Sequence, residues 1–296
     1  MKIAIYGRRN QGEFVPRLAT LLESLSPLVD SIDMHEKLYN YLFGEMGLHP
    51  LRNLRRVYET TRVEADLIVS IGGDGTFLRT VAWAGESGSP ILGINTGHLG
   101  YLSPMTLDRA IEVVGELSAL GDRDAMEARA REIFHIDRRS LLEVVNPDVR
   151  GSRYALNEVT ISKDEGSSVV TADTYINGKH LARYVADGLI IATPTGSTAY
   201  NLSVGGPIIE PSARVSVISP IAAHALGLRP LVISDESRID VEVGGRARSF
   251  RLCLDGRPTT VPIDTRVTIR RAPFTIAVVE AAGDEFPAML TKKLFF

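Results

Sequence analysis

The chain is short of cysteine, of tryptophan and of surplus positive charge. One cysteine, Cys253 in "FRLCLDG", stands among 296 residues. It cannot close an internal disulfide, and no CxxC pair exists, so a reducing, cytoplasmic setting is expected. Cys253 itself reads as a small apolar strand residue. Lysine and arginine number 33 against 36 acids, a net charge of −3, so no basic field recommends nucleic acid or an anionic membrane as partner. No apolar run reaches the roughly 18 residues of a membrane span. The opening "MKIAIYG" is apolar for too few residues to be a signal peptide. Common nucleotide motifs are missing too. GxxxxGK[ST] does not occur, which excludes a P-loop, and Leu78 stands where GxGxxG needs its third glycine, so a Rossmann dehydrogenase finds no support. HExxH, GxSxG and zinc-spaced His/Cys sets are also absent.

What is present is an alternation of short apolar runs and amphipathic segments. The length and the 44% hydrophobic content favour two domains. "KIAIYG", "ADLIVSIGG" and "SPILGINTG" read as buried strands. Phe14, Leu18, Leu21, Leu22 and Leu25 fall at helical spacing, as do the apolar residues of "TLDRAIEVVGELSAL", and "TFLRTVAWAG" has helical composition. This order predicts an α/β domain with a parallel sheet. Residues 36–60 read as helix and loop. After about residue 125 the chain turns to Val, Ile and Thr in alternation with polar residues. Asn177-Gly178, Asp187-Gly188, Gly244-Gly245 and Asp255-Gly256 act as turn signals between these runs. The second half is therefore expected to be a larger, mostly antiparallel, β-sandwich-like domain. The expected division is 1–124, joined by a helical tail at 285–296, and 125–284.

Four segments carry chemistry. In "VSIGGDGTFLRTV", Gly72, Gly73, Asp74 and Gly75 lie where a strand hands over to a helix. Backbone N–H groups at such a corner favour an anion, and glycines let a phosphate or ribose come close. Asp74 repels phosphate, so its use is to take a proton from an attacking hydroxyl, to orient that hydroxyl or to help hold Mg²⁺. The plain alternative is a glycine turn with a capping aspartate. "INTGHLGYLSP" offers His98 between glycines and Tyr101, whose ring could lie against a base. "ALNEV" sets Asn157 and Glu158 into an apolar alternation; an amide can pair with an adenine edge, and a carboxylate can hold ribose hydroxyls. "ATPTGSTAY" crowds Thr193, Thr195, Ser197 and Thr198 before a short helix, a source of N–H and O–H donors for sugar or phosphate.

"GGDGT", "NTGHLGYLS", "LNEVTI", "DGLIIATPTGSTAYNLSVGGP" and "SPIAAHALGLRPLVI" follow one another in this order, and over residues 66–260 the chain resembles the NAD kinases. The long central segment is the specific one; diacylglycerol and sphingosine kinases share "GGDGT", and phosphofructokinases carry a relative of it. The resemblance implies transfer of a terminal phosphate from ATP, or from polyphosphate in some members, to the adenosine ribose 2′-hydroxyl of NAD. It implies a divalent metal, usually Mg²⁺, and a homodimer or homotetramer with the site between two domains. By motif match Asp74 would be the base or orienting group, and Gly73 and Gly75 would admit phosphates. Asn157 and Glu158 would bind the adenosine side of NAD. Thr195, Thr198, Ala199 and Tyr200 would line its pocket, with Tyr101 near the adenine. Asp187 would face the nicotinamide half, from a neighbouring subunit. Competing readings are a lipid kinase, which needs a membrane-facing basic or apolar surface, a dinucleotide-binding regulator without turnover, and a sugar kinase of phosphofructokinase type.

Overall fold

A computed structural model describes residues 1–9, 12–97, 100–103, 105–119, 134–164, 169–225, 227–281 and 286–292. The chain forms two compact units, 1–138 with 276–296, and 139–275. The boundaries expected at 124/125 and 284/285 lie outside the described residues, as does His98.

The first unit is built on parallel strands. These are β1 (Lys2–Gly7), β2 (Ser31–His35), β3 (Leu54–Val57), β4 (Leu67–Ile71) and β5 (Ile91–Ile94), in the order β3-β2-β1-β4-β5. Buried on both faces, "LIVSI" and "ILGI" read as continuous apolar runs, as parallel strands do. Helices α1 (Val15–Leu25), α2 (Glu36–Tyr39), α3 (Asp74–Ala84) and α4 (Leu107–Ala119) belong to this unit. Leu18, Leu21 and Leu25 of α1 and Val113, Val114 and Leu117 of α4 pack with Ile3, Ile5, Ile32 and Val69 in one core. Strand order reverses between β1 and β4. At such a switch point the carboxyl ends of the strands open a crevice. The loops there are Gly7-Arg8 and Gly72-Gly73-Asp74.

Residues 36–60 depart from the expectation of helix and loop, because β3 lies within them. "LRRV" hides its strand character because it is an edge: Arg55 and Arg56 are exposed and only Val57 is buried. Its neighbour β2, "SIDMH", carries Asp33 and His35 in the interior, at 6% and 0% exposure. Lys2 Nζ lies 3.2 Å from the Asp33 carboxylate and Arg55 Nη2 donates to it at 2.9 Å. These partners hold Asp33 below the usual carboxylate range despite its burial.

The second unit contains two antiparallel sheets. Strands β6 (Phe134–Asn146) and β7 (Tyr154–Ala155) lead into it. One sheet orders β8 (Glu158–Lys163), β11 (Gly188–Ala192), β12 (Val215–Ile221), β13 (Leu231–Ser234), β15 (Ser249–Leu254) and β16 (Arg257–Pro262) as β13-β12-β11-β8-β15-β16. In the other, β9 (Val170–Ile176) lies between β10 (Lys179–Ala186) and β14 (Ile239–Gly244), and β14 pairs with residues 266–269 of β17 (Arg266–Ala281). Val159, Ile161, Ile191 and Leu252 from the first sheet and Ala172, Val241 and Ile269 from the second share one core. This is the expected sandwich.

Asn177-Gly178 and Asp255-Gly256 turn hairpins with φ of 51° and 78°, and of 46° and 74°, the mirror-image turn that suits twisted strands. Asp187-Gly188 is a correction. Gly188 is already in β11, paired with Ser162 and Ile221, and the chain steps there from one sheet to the other. A Cβ on Gly188 would lie 2.6 Å from the Ile161 carbonyl oxygen, so close packing calls for glycine there.

Candidate functional site

The residues singled out in the sequence fall into two groups, one in each unit. In the first, β4 ends at Ile71 and α3 begins at Asp74, with Gly73 as its N-cap. Gly72 adopts φ 149°, and a Cβ there would meet Thr76 Oγ1 at 2.4 Å. The space above Gly73 is open to 4 Å among the described residues, whereas Arg8 Nη2 stands 2.8 Å from where a Cβ on Gly75 would be. The glycines thus have separate uses: one turns the chain, one leaves room, and one seats a guanidinium.

Asp74 opens α3, where the helix dipole favours negative charge. The backbone N–H of Tyr101 donates to its Oδ2 at 2.8 Å and that of Leu102 to its Oδ1 at 2.9 Å. This grip works only because residue 100 is glycine; a Cβ on Gly100 would fall 1.9 Å from Asp74 Oδ1. Burial, and then the Asp74 charge, push the Tyr101 phenol up. Arg8 does not stand out in the sequence, and Gly100 stands out only as one of the two glycines around His98.

The second group surrounds the start of β8. Asn157 is 8% exposed. Its Oδ1 and Glu158 Oε2 are buried without a hydrogen-bond partner among the described residues. Burial raises the Glu158 carboxyl to about 8, the Asp255 charge adds to this, and the backbone N–H of Tyr200 opposes it. The Asp255 carboxylate accepts from the N–H groups of Leu156 at 2.6 Å, Asn157 at 2.8 Å and Glu158 at 3.1 Å. Asp255 was legible only as a turn residue.

The segment 193–201 packs against the same place. Thr193 N–H donates to the Asn157 carbonyl at 2.9 Å and Thr193 Oγ1 to that of Leu156 at 2.5 Å. A Cβ on Gly196 would lie 2.0 Å from the Asn157 carbonyl oxygen. Ser197 Oγ donates to the Ile209 carbonyl at 3.2 Å, and Thr198 Oγ1 to that of Thr195 at 3.3 Å. Much of the hydroxyl crowd, expected from the sequence to serve a ligand, therefore holds its own loop together. Thr195 is buried, while Tyr200 is 44% exposed at the start of the short helix Tyr200–Ser203. Asp187 is apart from this group. It pairs with Lys163 at 2.8 Å, and β11 runs from Gly188, beside it, to Ala192, opposite Glu158.

Among the described residues, His35, Glu36 and Glu59 each place one donor atom within 4.8 Å of the others. Lys37 Nζ already sits 2.6 Å from Glu59, so an ammonium supplies the positive charge there.

Two family models cover most of the chain: the ATP-NAD kinase N-terminal domain over residues 17–122 and the ATP-NAD kinase C-terminal domain over 156–281. NAD kinases of Porphyromonas gingivalis and Bacteroides fragilis are 39% and 38% identical, each over 100% of this chain and 98% of theirs. Yeast NADH kinase complexed with NADH superposes with a TM-score of 0.82 at 25% identity, over 99% of this chain and 87% of that one. An Archaeoglobus fulgidus NAD kinase in complex with ATP shares the fold, with a TM-score of 0.68 at 24% identity, over 96% and 95%. The chain belongs to the NAD kinase family.

Proposed function

We propose that the chain is an NAD kinase that moves the γ-phosphate of ATP to the 2′-hydroxyl of the adenosine ribose of NAD, releasing ADP and NADP. The observation that carries the substrate reading is the pair of buried polar atoms, Asn157 Oδ1 and Glu158 Oε2, that have no partner among the described residues. A buried acceptor left unpaired costs about 1–3 kcal/mol, so a ligand that brings donors is favoured there. The adenine amino group suits the amide and the ribose hydroxyls suit the carboxyl. On this reading Thr195, Thr198, Ala199 and Tyr200 would line the adenosine pocket.

Phosphoryl transfer needs alignment, charge compensation and an oriented nucleophile rather than covalent help. Asp74 is held by two N–H groups and is the candidate acceptor of the 2′-hydroxyl proton as the oxygen–phosphorus bond forms and ADP leaves. Such help contributes about 10²–10⁴-fold, roughly 3–5 kcal/mol. The open face of Gly73 admits a phosphate. Gly75 and the Arg8 guanidinium over it serve the same charge. The residues fit Mg²⁺: Asp74 together with the substrate phosphates would hold it, and it would supply charge neutralisation.

A homodimer or homotetramer is the assembly the family resemblance implies, with Asp187 as the residue that would reach a neighbour's ligand. On the family pattern it would face the nicotinamide half of a dinucleotide held by a neighbouring subunit; within one chain it lies five residues along β11 from Ala192, the residue opposite Glu158, about 16 Å at 3.3 Å per residue. A cytoplasmic location accords with the single cysteine. Among the described residues no helix is long and apolar enough to cross a membrane.

Purified protein given ATP and Mg²⁺ with NAD, diacylglycerol or a sugar phosphate in separate reactions should form product from NAD alone. NAD binding without NADP, or phosphorylation of lipid or sugar instead, overturns the proposal.

A further inference from the structure

We propose that Asp255 is a positioning residue for the dinucleotide: from the turn between β15 and β16 it fixes the backbone of Leu156, Asn157 and Glu158, and so sets where the two adenosine-binding side chains stand. This rests on the reading of Asn157 and Glu158 given above. The segment between β7 and β8 must present two polar side chains from an otherwise apolar strand start, and three consecutive N–H groups there converge on one carboxylate. Oδ1 accepts from Asn157 and Glu158 and Oδ2 from Leu156, while the Asp255 N–H returns to the Glu158 carbonyl at 3.2 Å. The grip is made possible by a turn conformation with φ 46°, which Asp tolerates better than most residues.

Asparagine cannot replace this acid. With its oxygen toward Asn157 and Glu158, its NH₂ faces the Leu156 N–H; flipped, it faces the other two. Either way a donor meets a donor. Asp255 also carries the charge that Glu158 feels. Around this pair stand the Tyr200 N–H, which donates to Glu158, the Cys253 thiol, which burial pushes up, and Arg257, which favours the ionised form of Asp255. Burial raises both acids. Three N–H donors and Arg257 favour the ionised form of Asp255, against the single Tyr200 N–H at Glu158.

The test is steady-state kinetics of D255N, D255E, N157A and E158Q from about pH 6 to 9. D255N should raise KM for NAD about tenfold or more, leave KM for ATP and kcat within about twofold, and move the inflection of KM for NAD against pH down by about one unit. D255E keeps the charge but displaces the anchor, so it should raise KM for NAD with the inflection unmoved; if D255N does not fold, D255E carries the test. Parental KM for NAD in both Asp255 variants overturns the proposal, and so does a joint fall of kcat and rise of both KM values, which marks a merely structural residue. If N157A and E158Q themselves leave KM for NAD unchanged, it is the adenosine reading that fails.

Discussion

A methyl group placed on Gly100 would stand 1.9 Å from Oδ1 of Asp74 and 2.8 Å from its Cγ. The carboxylate therefore occupies the room that a side chain at residue 100 would take. It reaches the N–H groups of Tyr101 and Leu102 through that gap. G100A should push the carboxylate off both donors and lower turnover at least about 100-fold, the low end of what a positioned base contributes. The double variant with D74N should be no slower than D74N alone, since both changes remove one function. Turnover of the three variants checks this; a G100A enzyme at parental rate would show that the grip on Asp74 is idle.

The glycines before and after Asp74 should respond differently to alanine. At Gly72 the new Cβ meets Thr76 Oγ1 at 2.4 Å on a backbone of φ 149°, so G72A should destabilise the fold by about 1–3 kcal/mol. At Gly75 it meets the far end of Arg8, a flexible side chain that can step aside. G75A should therefore unfold near the parental midpoint yet raise KM for ATP, because Arg8 leaves its seat. Denaturant midpoints and KM for ATP measured on the two variants separate these effects.

Glu158 gives a pH dependence of definite sign. It ionises at about 8 in the fold, against about 4.3 in an unfolded chain. The folded form keeps a proton that the unfolded form has lost between these values. The stability this contributes is complete below the lower value and is lost as pH rises to the upper one. Relative to E158Q, the parent should lose stability with rising pH at up to about 1.4 kcal/mol per unit, flattening above about pH 8. Urea unfolding of both proteins at several pH values checks the slope; parallel curves would contradict it.

Local signals made the first unit and its loop legible. "LIVSI" running into Gly72-Gly73-Asp74 needs no distant partner to read as a strand, a tight corner and a helix start. Strand β2 escaped because Asp33 and His35 look wrong for an interior until Lys2 and Arg55 are seen around Asp33, and Arg55 is 22 residues away. Asp187-Gly188 has the composition of a hairpin turn, but the chain changes sheets there, and only the pairing of Gly188 with Ser162 and Ile221 reveals it. The hold of Asp255 on Leu156 spans 99 residues, beyond any spacing rule. Thr193 and Ser197 were visible as hydroxyls, but whether a hydroxyl faces a ligand or its own backbone depends on the folded loop.

The account turns on Asp74 as the group that receives the hydroxyl proton. The most direct measurement is turnover of D74N with saturating ATP, Mg²⁺ and NAD, beside calorimetric titration of the same protein with NAD. The expected result is a rate at least about 100-fold lower with NAD affinity reduced far less, by no more than about tenfold, the Asn NH₂ meeting one of the Tyr101 and Leu102 N–H groups. A variant that forms NADP at the parental rate would contradict the role of Asp74.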